Sequence, residues 1–345
     1  MKVNLLITCV GGSLSWVLLR ALRSSEYISY KLIGTDASPQ QTPTLSRSKN
    51  LLDSFYQVPS GSATGYISQL CEIVKEEHVH FIIPGSDDEV LALREHRSKL
   101  SSIGTTVLLS NNETLSVIMN KAKTYEILKT HNINVPNYFV VHTGSAFLQA
   151  INSLDYPAKT VVCKPVSGRG NRGVYFLEGR DKPSAQIGTG QREMRVGEEM
   201  VTTISQRIVE PYLVMSCLST PAYDADVFIG SNNCHRAIVR ERINPAGIPF
   251  AGNKIVLNKE LTNYCTSVAK ALELSGIHDI DIMTDDSGRP TLLEVNPRPS
   301  GSLAVSLFAN LPIIDYVVST ELGLPVPQLN LQTEMTVLPS DFILE

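Results

Sequence analysis

Across the first 112 residues, short apolar runs alternate with segments of helical periodicity, and this order restricts the possible folds most tightly. Val3 to Val10 is a strand-type run, and Gly11-Gly12-Ser13 is a turn. Leu14 to Ser24 spaces its apolar residues as a helix does. Tyr30 to Thr35 is a second strand, ending at Asp36. The pattern then predicts a helix over Tyr66 to Glu77 and a strand over Phe81 to Pro84. A helix over Glu89 to Leu100 and a strand over Thr105 to Ser110 complete it. Strands separated by helices pair in parallel, with the helices covering both faces of the sheet. The expected fold here is a doubly wound α/β unit, whose ligands sit at the carboxyl ends of the strands. Gly11, Gly12, Asp36 and Pro84 to Glu89 fall at such ends, either as ligand contacts or as plain turns and helix caps. The first turn has two glycines where a dinucleotide fingerprint needs three, which argues against a nicotinamide cofactor.

Composition narrows the function classes. The 345 residues suffice for two or three subdomains with cores of their own. No apolar run approaches the ~18 residues of a membrane span. The net charge is −4 with no basic block, so neither a nucleic acid nor a membrane is an expected partner. The opening residues read as a first strand and not as a signal peptide. Six scattered cysteines without a Cys-x-x-Cys pair point to reduced thiols and a cytoplasmic location. His78 and His80 are the one close histidine pair, and they do not form a metal motif.

Further along, Asn111-Asn112-Glu113 caps a helix, and Asn120-Lys121 precedes another from Ala122 to His131. A strand, Tyr138 to His142, and a helix, Ser145 to Leu154, lead to Thr160-Val-Val-Cys-Lys164-Pro165. The stretch Ser167-Gly168-Arg169-Gly170-Asn171-Arg172-Gly173 follows. It contains a literal G-x-G-x-x-G, yet a strand, Val174 to Leu177, comes after it where a Rossmann turn opens a helix. The glycines therefore tip a β-hairpin, either a surface turn or a flap whose bare amides fold over phosphates. Lys164 interrupts an apolar strand, and a buried ammonium needs an anionic partner such as a phosphate. Ile208 to Leu213 reads as a strand containing Glu210-Pro211. Ala222 to Phe228 is an alternating strand with Asp224 and Asp226 on one face. Arg236, Arg240 and Arg242 share one face of the next strand and are expected to form an anion-binding row.

Near the C-terminus a strand carries Glu294 and Asn296 two residues apart, on one face, with Arg298 just beyond. Their hard oxygens suit Mg²⁺, and the guanidinium suits a phosphate or carboxylate. The turn Asp285 to Gly288 joins this strand to Asp279-Ile-Asp281, and a hairpin would set Asp281 beside Glu294.

These segments, in this order, resemble the ATP-grasp superfamily, in its carbamoyl-phosphate-synthase and carboxylate–amine-ligase branches. The resemblance implies an α/β fold, α+β in its nucleotide-binding part. It implies an N-terminal Rossmann-like domain (1–112), a central subdomain with a Gly-rich flap (113–205) and a C-terminal subdomain with a metal-binding hairpin (206–345). Lys121 and Lys164 would then contact nucleotide phosphates, helped by the flap at Ser167, Gly168, Arg169, Gly170 and Gly173. Glu210, Pro211, Tyr212 and Leu213 would hold adenine. Asp281, Glu294 and Asn296 would ligate two Mg²⁺ ions, with Mn²⁺ as a substitute, and Arg298 would face the transferred phosphoryl group. Arg240 would stabilise charge beside it. The acid that holds ribose is replaced by Ala222, so Asp224 would serve instead.

The implied reaction is ATP-dependent activation of a carboxylate as an acyl phosphate, followed by amide formation with an amine. The partners are therefore small molecules, with a homodimer as the expected assembly. A phosphotransferase or a carbamoyl-phosphate-synthase-like component shares these motifs. A nicotinamide-dependent reductase or a regulatory nucleotide-binding protein leaves Asp281, Glu294 and Asn296 without a role.

Overall fold

The computed structural model describes residues 2–38, 42–167, 173–180, 193–208, 210–244 and 251–339. The chain divides into two compact units, neither of them continuous in sequence. The first comprises Met1–Leu115, Tyr223–Ile280 and Val295–Glu345, and the second Ser116–Ala222 with Asp281–Glu294.

In the first unit, β1 (Lys2–Ile7), β2 (Ser29–Asp36), β3 (Ser54–Gln57), β4 (Phe81–Ile83) and β5 (Thr106–Val107) form a sheet in the order β3-β2-β1-β4-β5. Every pairing in it is parallel, as the alternation of strands and helices requires. Helices α1 (Ser15–Arg23), α2 (Pro43–Asn50), α3 (Tyr66–Glu76), α4 (Asp87–Glu95) and α5 (Arg97–Ser102) connect the strands. The strand order reverses between β1 and β4, which makes that point the topological switch of the sheet. There the buried Glu89 carboxylate accepts from Thr8 Oγ1 (2.5 Å), Cys9 Sγ (3.2 Å) and Ser86 Oγ (3.0 Å). Gly11 donates its amide to Asp36 at 2.7 Å, and a Cβ at Gly11 would lie 2.9 Å from that carboxylate oxygen.

Two elements carry little sequence signal. Helix α2 has a single buried apolar residue, Leu45; it forms because Thr42 caps it and Pro43 presets its first turn. Strand β3 is a half-buried outer strand without strict alternation. The helix expected over Glu89 to Leu100 is broken into α4 and α5 at His96. Arg97, at the start of the second piece, donates to the carbonyls of Leu109 (3.2 Å) and Ser110 (2.5 Å).

The second unit contains α7 (Lys121–Thr130), β6 (Tyr138–Val141), α8 (Gly144–Ser153), β7 (Val161–Pro165), β8 (Val174–Leu177), β9 (Glu193–Val196), α9 (Val201–Gln206) and β10 (Tyr212–Ser216). A short helix, α6 (Asn112–Ile118), precedes them. The sheet order is β6-β10-β7-β8-β9, with β10 antiparallel to both β6 and β7. Phe147, Ile151, Val161, Cys163 and Val214 are among its core residues. The strand expected over Ile208 to Leu213 instead starts at Tyr212. Pro211 has no N–H to donate to a ladder, and its carbonyl accepts from Val166 (3.1 Å).

Six further strands form the last sheet, in the order β15-β14-β11-β12-β13-β16: β11 (Ser219–Ile229), β12 (His235–Arg242), β13 (Asn253–Ile255), β14 (Gly276–Thr284), β15 (Pro290–Asn296) and β16 (Met335–Val337). Helices α10 (Lys259–Ala271), α11 (Leu303–Phe308) and α12 (Ile313–Glu321) belong to the first unit. The expected hairpin of Asp279-Ile-Asp281 and Glu294-Val-Asn296 is β14 with β15, closed by Asp285 accepting from the Ser287 amide (2.9 Å) and by Gly288 at φ +77°.

Two expected domain boundaries move. A boundary between 205 and 206 falls inside the second unit, because β10 lies between β6 and β7. The first 112 residues are not a separate body either: Leu303, Val305 and Val317 share one core with Leu5, Leu19 and Leu32. Among the described residues no helix is long and apolar enough to cross a membrane.

Candidate nucleotide and metal site

Within the second unit, three elements bring charged groups together. Lys164 lies on β7, opposite Leu213 of β10, and is 5% exposed. Its Nζ donates to the carbonyl of Leu293 at 3.2 Å. Burial lowers the ammonium to about 8; Glu294 and Asp281 favour its charged form, and Lys121 opposes it. Lys121 opens α7, where the Asn120 side chain caps the helix by accepting from the Lys123 amide (3.0 Å). The Lys121 amide donates to the Val166 carbonyl at 3.1 Å, and its ammonium lies 3.4 Å from Glu294. One helical turn on, Tyr125 donates its hydroxyl to the same Leu293 carbonyl at 2.7 Å. Two lysines, Asp281 and Glu294 thus share one unit, placed there by α7, β7, β14 and β15.

Gly173 closes the end of the Gly-rich stretch at φ +73°, a conformation that glycine adopts without strain. A Cβ there would sit 3.2 Å from Pro165 and 3.3 Å from the Tyr212 hydroxyl. Ser167, Glu210 and Pro211 are exposed, while Tyr212 and Leu213 are buried. Gly168, Arg169 and Gly170 lie outside the described residues.

The first unit holds a second polar network, on β11, β12, β14, β15 and the segment after β15. Arg240 is fully buried and ion-paired with Asp226; it also donates to Ser306 (2.8 Å) and Ser302 (3.2 Å). Arg242 donates through Nε to Asp224 at 2.6 Å. Asn253 (3.0 Å) and Ser302 (3.4 Å) donate to the other Asp224 oxygen. The expected open row of arginines is therefore corrected. Arg236 is exposed, but the acids on the neighbouring strand β11 take up Arg240 and Arg242. Asp224, expected to hold ribose, is 5% exposed with both of its oxygens engaged.

Arg298 donates through Nε to Asp87, the first residue of α4, at 3.1 Å, and through Nη1 to the Pro299 carbonyl at 3.0 Å. Asn296 donates its Nδ2 to Asp279 Oδ2 at 3.0 Å. Asp279 is 5% exposed; burial and the charge of Asp224 push its carboxyl up to about 6, against Arg240, Arg298 and Arg242. Sequence reasoning passed over Tyr125 and Asp279, and offered Asp87 only as part of Pro84 to Glu89, a stretch of ligand contacts or of plain turns and caps. Of the two passed over, only Asp279 carried a signal, since it shares a strand face with Asp281.

Residues 209–340 match the family described as "ATP-grasp in the biosynthetic pathway with Ter operon", and residues 5–108 match the PylC-like N-terminal domain. The chain carries an ATP-grasp domain and a PylC-like N-terminal domain. A relative, the carbamoyl phosphate synthase large chain of Clostridium acetobutylicum, is 24% identical over 273 residues, 75% of this chain. The matched part is only 23% of that relative. An ADP complex of an N5-carboxyaminoimidazole ribonucleotide synthetase superimposes with a TM-score of 0.69 at 16% identity, covering 98% of this chain and 81% of that one. An L-amino acid ligase from Bacillus licheniformis gives 0.63 at 14% identity, covering 92% and 74%. The ATP-grasp fold is thus shared by chains of very different sequence.

Proposed function

We propose that the chain is an ATP- and Mg²⁺-dependent ligase that activates a carboxylate and joins it to an amine, releasing ADP and phosphate. The observation that carries this reading is the pair of lysines, Lys164 and Lys121, held in one unit with Asp281 and Glu294. Among the described residues the buried Lys164 ammonium donates to a neutral carbonyl and has Glu294 and Asp281 only as nearby charges; a nucleotide phosphate would give it a directly bonded anion. The likenesses to an ADP-bound synthetase and to an amino acid ligase support the same assignment.

The donor set fits a hard divalent ion. Asp281, Glu294 and Asn296 offer carboxylate and carboxamide oxygens, and Asp281 is buried. When bound, Mg²⁺ would neutralise phosphate charge. The chain's own residues do the rest. Lys121 and Lys164 hold phosphate oxygens, and Tyr125 fixes the Leu293 carbonyl to which Lys164 also donates. Arg298, anchored by Asp87, faces the phosphoryl group as it leaves the ATP β-phosphate. A substrate carboxylate oxygen attacks the γ-phosphorus, and the bridging oxygen departs with ADP. The amine then attacks the acyl carbon, loses a proton, and the C–O bond to phosphate breaks. Positioning and charge neutralisation carry most of the barrier reduction. Arg240 is given no direct part, because it is enclosed by Asp226, Ser302 and Ser306.

Titration calorimetry with Mg·ATP tests the reading, with Lys164→Ala and Glu294→Gln alongside. The expected result is metal-dependent binding, weakened in both variants. Hydroxylamine trapping during a carboxylate screen would then capture the acyl phosphate. Binding indifferent to both substitutions would overturn the assignment. Phosphorylated product stable to every amine would convert it to a phosphotransferase.

A further inference from the structure

His278, on β14, is fully buried, and both of its ring nitrogens meet polar atoms of the first unit. Nδ1 lies 3.1 Å from the backbone carbonyl oxygen of Asn296. Nε2 lies 2.8 Å from the Ser110 hydroxyl and 2.9 Å from the Ser275 carbonyl. A neutral imidazole has one proton to give, and burial works against a second. The two carbonyls therefore compete for it. With the proton on Nε2, Nδ1 faces a carbonyl and neither atom is a donor. With the proton on Nδ1, that nitrogen donates to Asn296 and Nε2 accepts from Ser110, so both nitrogens are served. Ser110 is itself fixed in place: its Oγ accepts from the Ser275 amide at 2.9 Å, and Arg97 donates to its carbonyl.

The Asn296 carbonyl belongs to the peptide group that enters Pro297. That group is planar, and the proline ring holds the next φ at about −65°. A single soft dihedral, ψ of Pro297, thus lies between the anchored peptide plane and the Cα of Arg298. Pro299 in turn confines Arg298 to extended backbone. Pro297 and Pro299 are both buried, which keeps this stretch from swinging. At the far end of the side chain, Arg298 Nε donates to Asp87 at 3.1 Å. His278 and Asp87, both in the first unit, hold the backbone and the head of the same arginine.

We infer that His278 is a positioning residue for Arg298: its Nδ1–H anchors the Asn296–Pro297 peptide group and so fixes where the guanidinium stands. This rests on the ligase reading, in which Arg298 faces the γ-phosphoryl group. A histidine kept for packing alone would be replaced equally well by either amide side chain. A histidine that works through Nδ1 is replaced only by the amide that reaches the Nδ1 position.

The test is calorimetric titration of the full chain with Mg·ADP and with the Mg complex of the β,γ-imido analogue of ATP. The ratio of the two affinities reads the γ-phosphate contact. Arg298→Ala should cut the preference for the triphosphate roughly 10- to 100-fold, the worth of a hydrogen bond to a charged group. His278→Gln, whose amide reaches the Nε2 position, should cut it about 10-fold with Mg·ADP affinity near wild type. His278→Asn, whose amide reaches the Nδ1 position, should restore most of it. In an Arg298→Ala background, His278→Gln should cost nothing further. Nitrogen-15 spectra of the histidine rings should show His278 protonated on Nδ1 in wild type. Ser110→Ala, which removes the donor to Nε2, should move the proton to Nε2 and lower the triphosphate preference. The inference is wrong, and the ligase reading stands, if the two amide variants behave alike or if the wild-type ring carries its proton on Nε2. It is equally wrong if the losses of His278→Gln and Arg298→Ala add, or if Arg298→Ala leaves the ratio unchanged. If wild type binds neither nucleotide with Mg²⁺, the ligase reading itself fails. Should the His278 variants not fold, Ser110→Ala and the ring spectrum decide.

Discussion

At the scale of single residues, local motif chemistry was legible and long-range pairing was not. Lys164 stood out because a lysine inside an apolar strand must find an anion. Glu294 and Asn296 stood out because a period of two puts them on one face. Nothing in the sequence around Asp87 tells of Arg298, 211 positions away, and nothing around Arg240 tells that β11 supplies its counter-charge. The Asp87 contact carries a prediction. Asp87→Asn should leave ADP affinity near wild type while phosphate release from ATP falls roughly 10- to 100-fold, with partial recovery in Asp87→Glu. Equal losses in binding and turnover would assign Asp87 a general structural role. Glu77 carries another prediction. Desolvation works against its charge, yet hydrogen bonds from Lys31, Ser54 and Tyr56 hold it at about 2, below its usual 4.5. A depressed carboxyl contributes stability that is complete above its ordinary value and drains away as pH falls from about 4.5 toward 2. Urea midpoints of wild type and Glu77→Gln should therefore differ at pH 7 and converge as the buffer is taken toward pH 2.5.

At the scale of elements, strongly periodic segments were found within a residue or two, and weakly periodic ones were missed. Helix α3 and strand β7 announce themselves by spacing and by apolar content. Helix α2 and strand β3 do not, because a cap and a neighbour strand, rather than an apolar face, hold them in place. Strand β10 was displaced by a proline whose missing donor is visible only once its partners are known. Helix α8 packs Phe147, fully buried, into the second unit. Phe147→Ala should cost about 3–5 kcal/mol by denaturant titration, and a loss under 1 kcal/mol would mean that the sheet relaxes into the gap. At the end of the Gly-rich stretch, Gly173→Val meets both a positive φ and a neighbour 3.2 Å away. It should weaken Mg·ATP binding in calorimetry while leaving the melting midpoint within a few degrees.

At the scale of the whole molecule, the fold class was legible and the division into units was not. Alternation along the chain reveals a parallel sheet, but it does not reveal that α11 and α12 complete the core of the first 115 residues. That information lies in contacts across some 300 positions, which no local pattern encodes. Ligand linkage gives a global check. Mg·ADP at one hundred times its dissociation constant should stabilise the folded chain by about 2.7 kcal/mol, seen in scanning calorimetry, with the gain largely lost in Glu294→Gln.

The split of the second unit also has a temporal side. Lys121 and Lys164 are made well before the segment Asp281–Glu294 that completes their unit. The distance from Lys164 to Glu294 is 130 positions, the difference of the two residue numbers. At a ribosomal pace of about 5–20 residues per second, the nascent sheet waits roughly 7–26 s for its carboxylates. During translation the strand bearing Lys164 must stay open to water, and a nascent chain arrested before residue 281 would present a sheet with a lysine that has nothing to answer it.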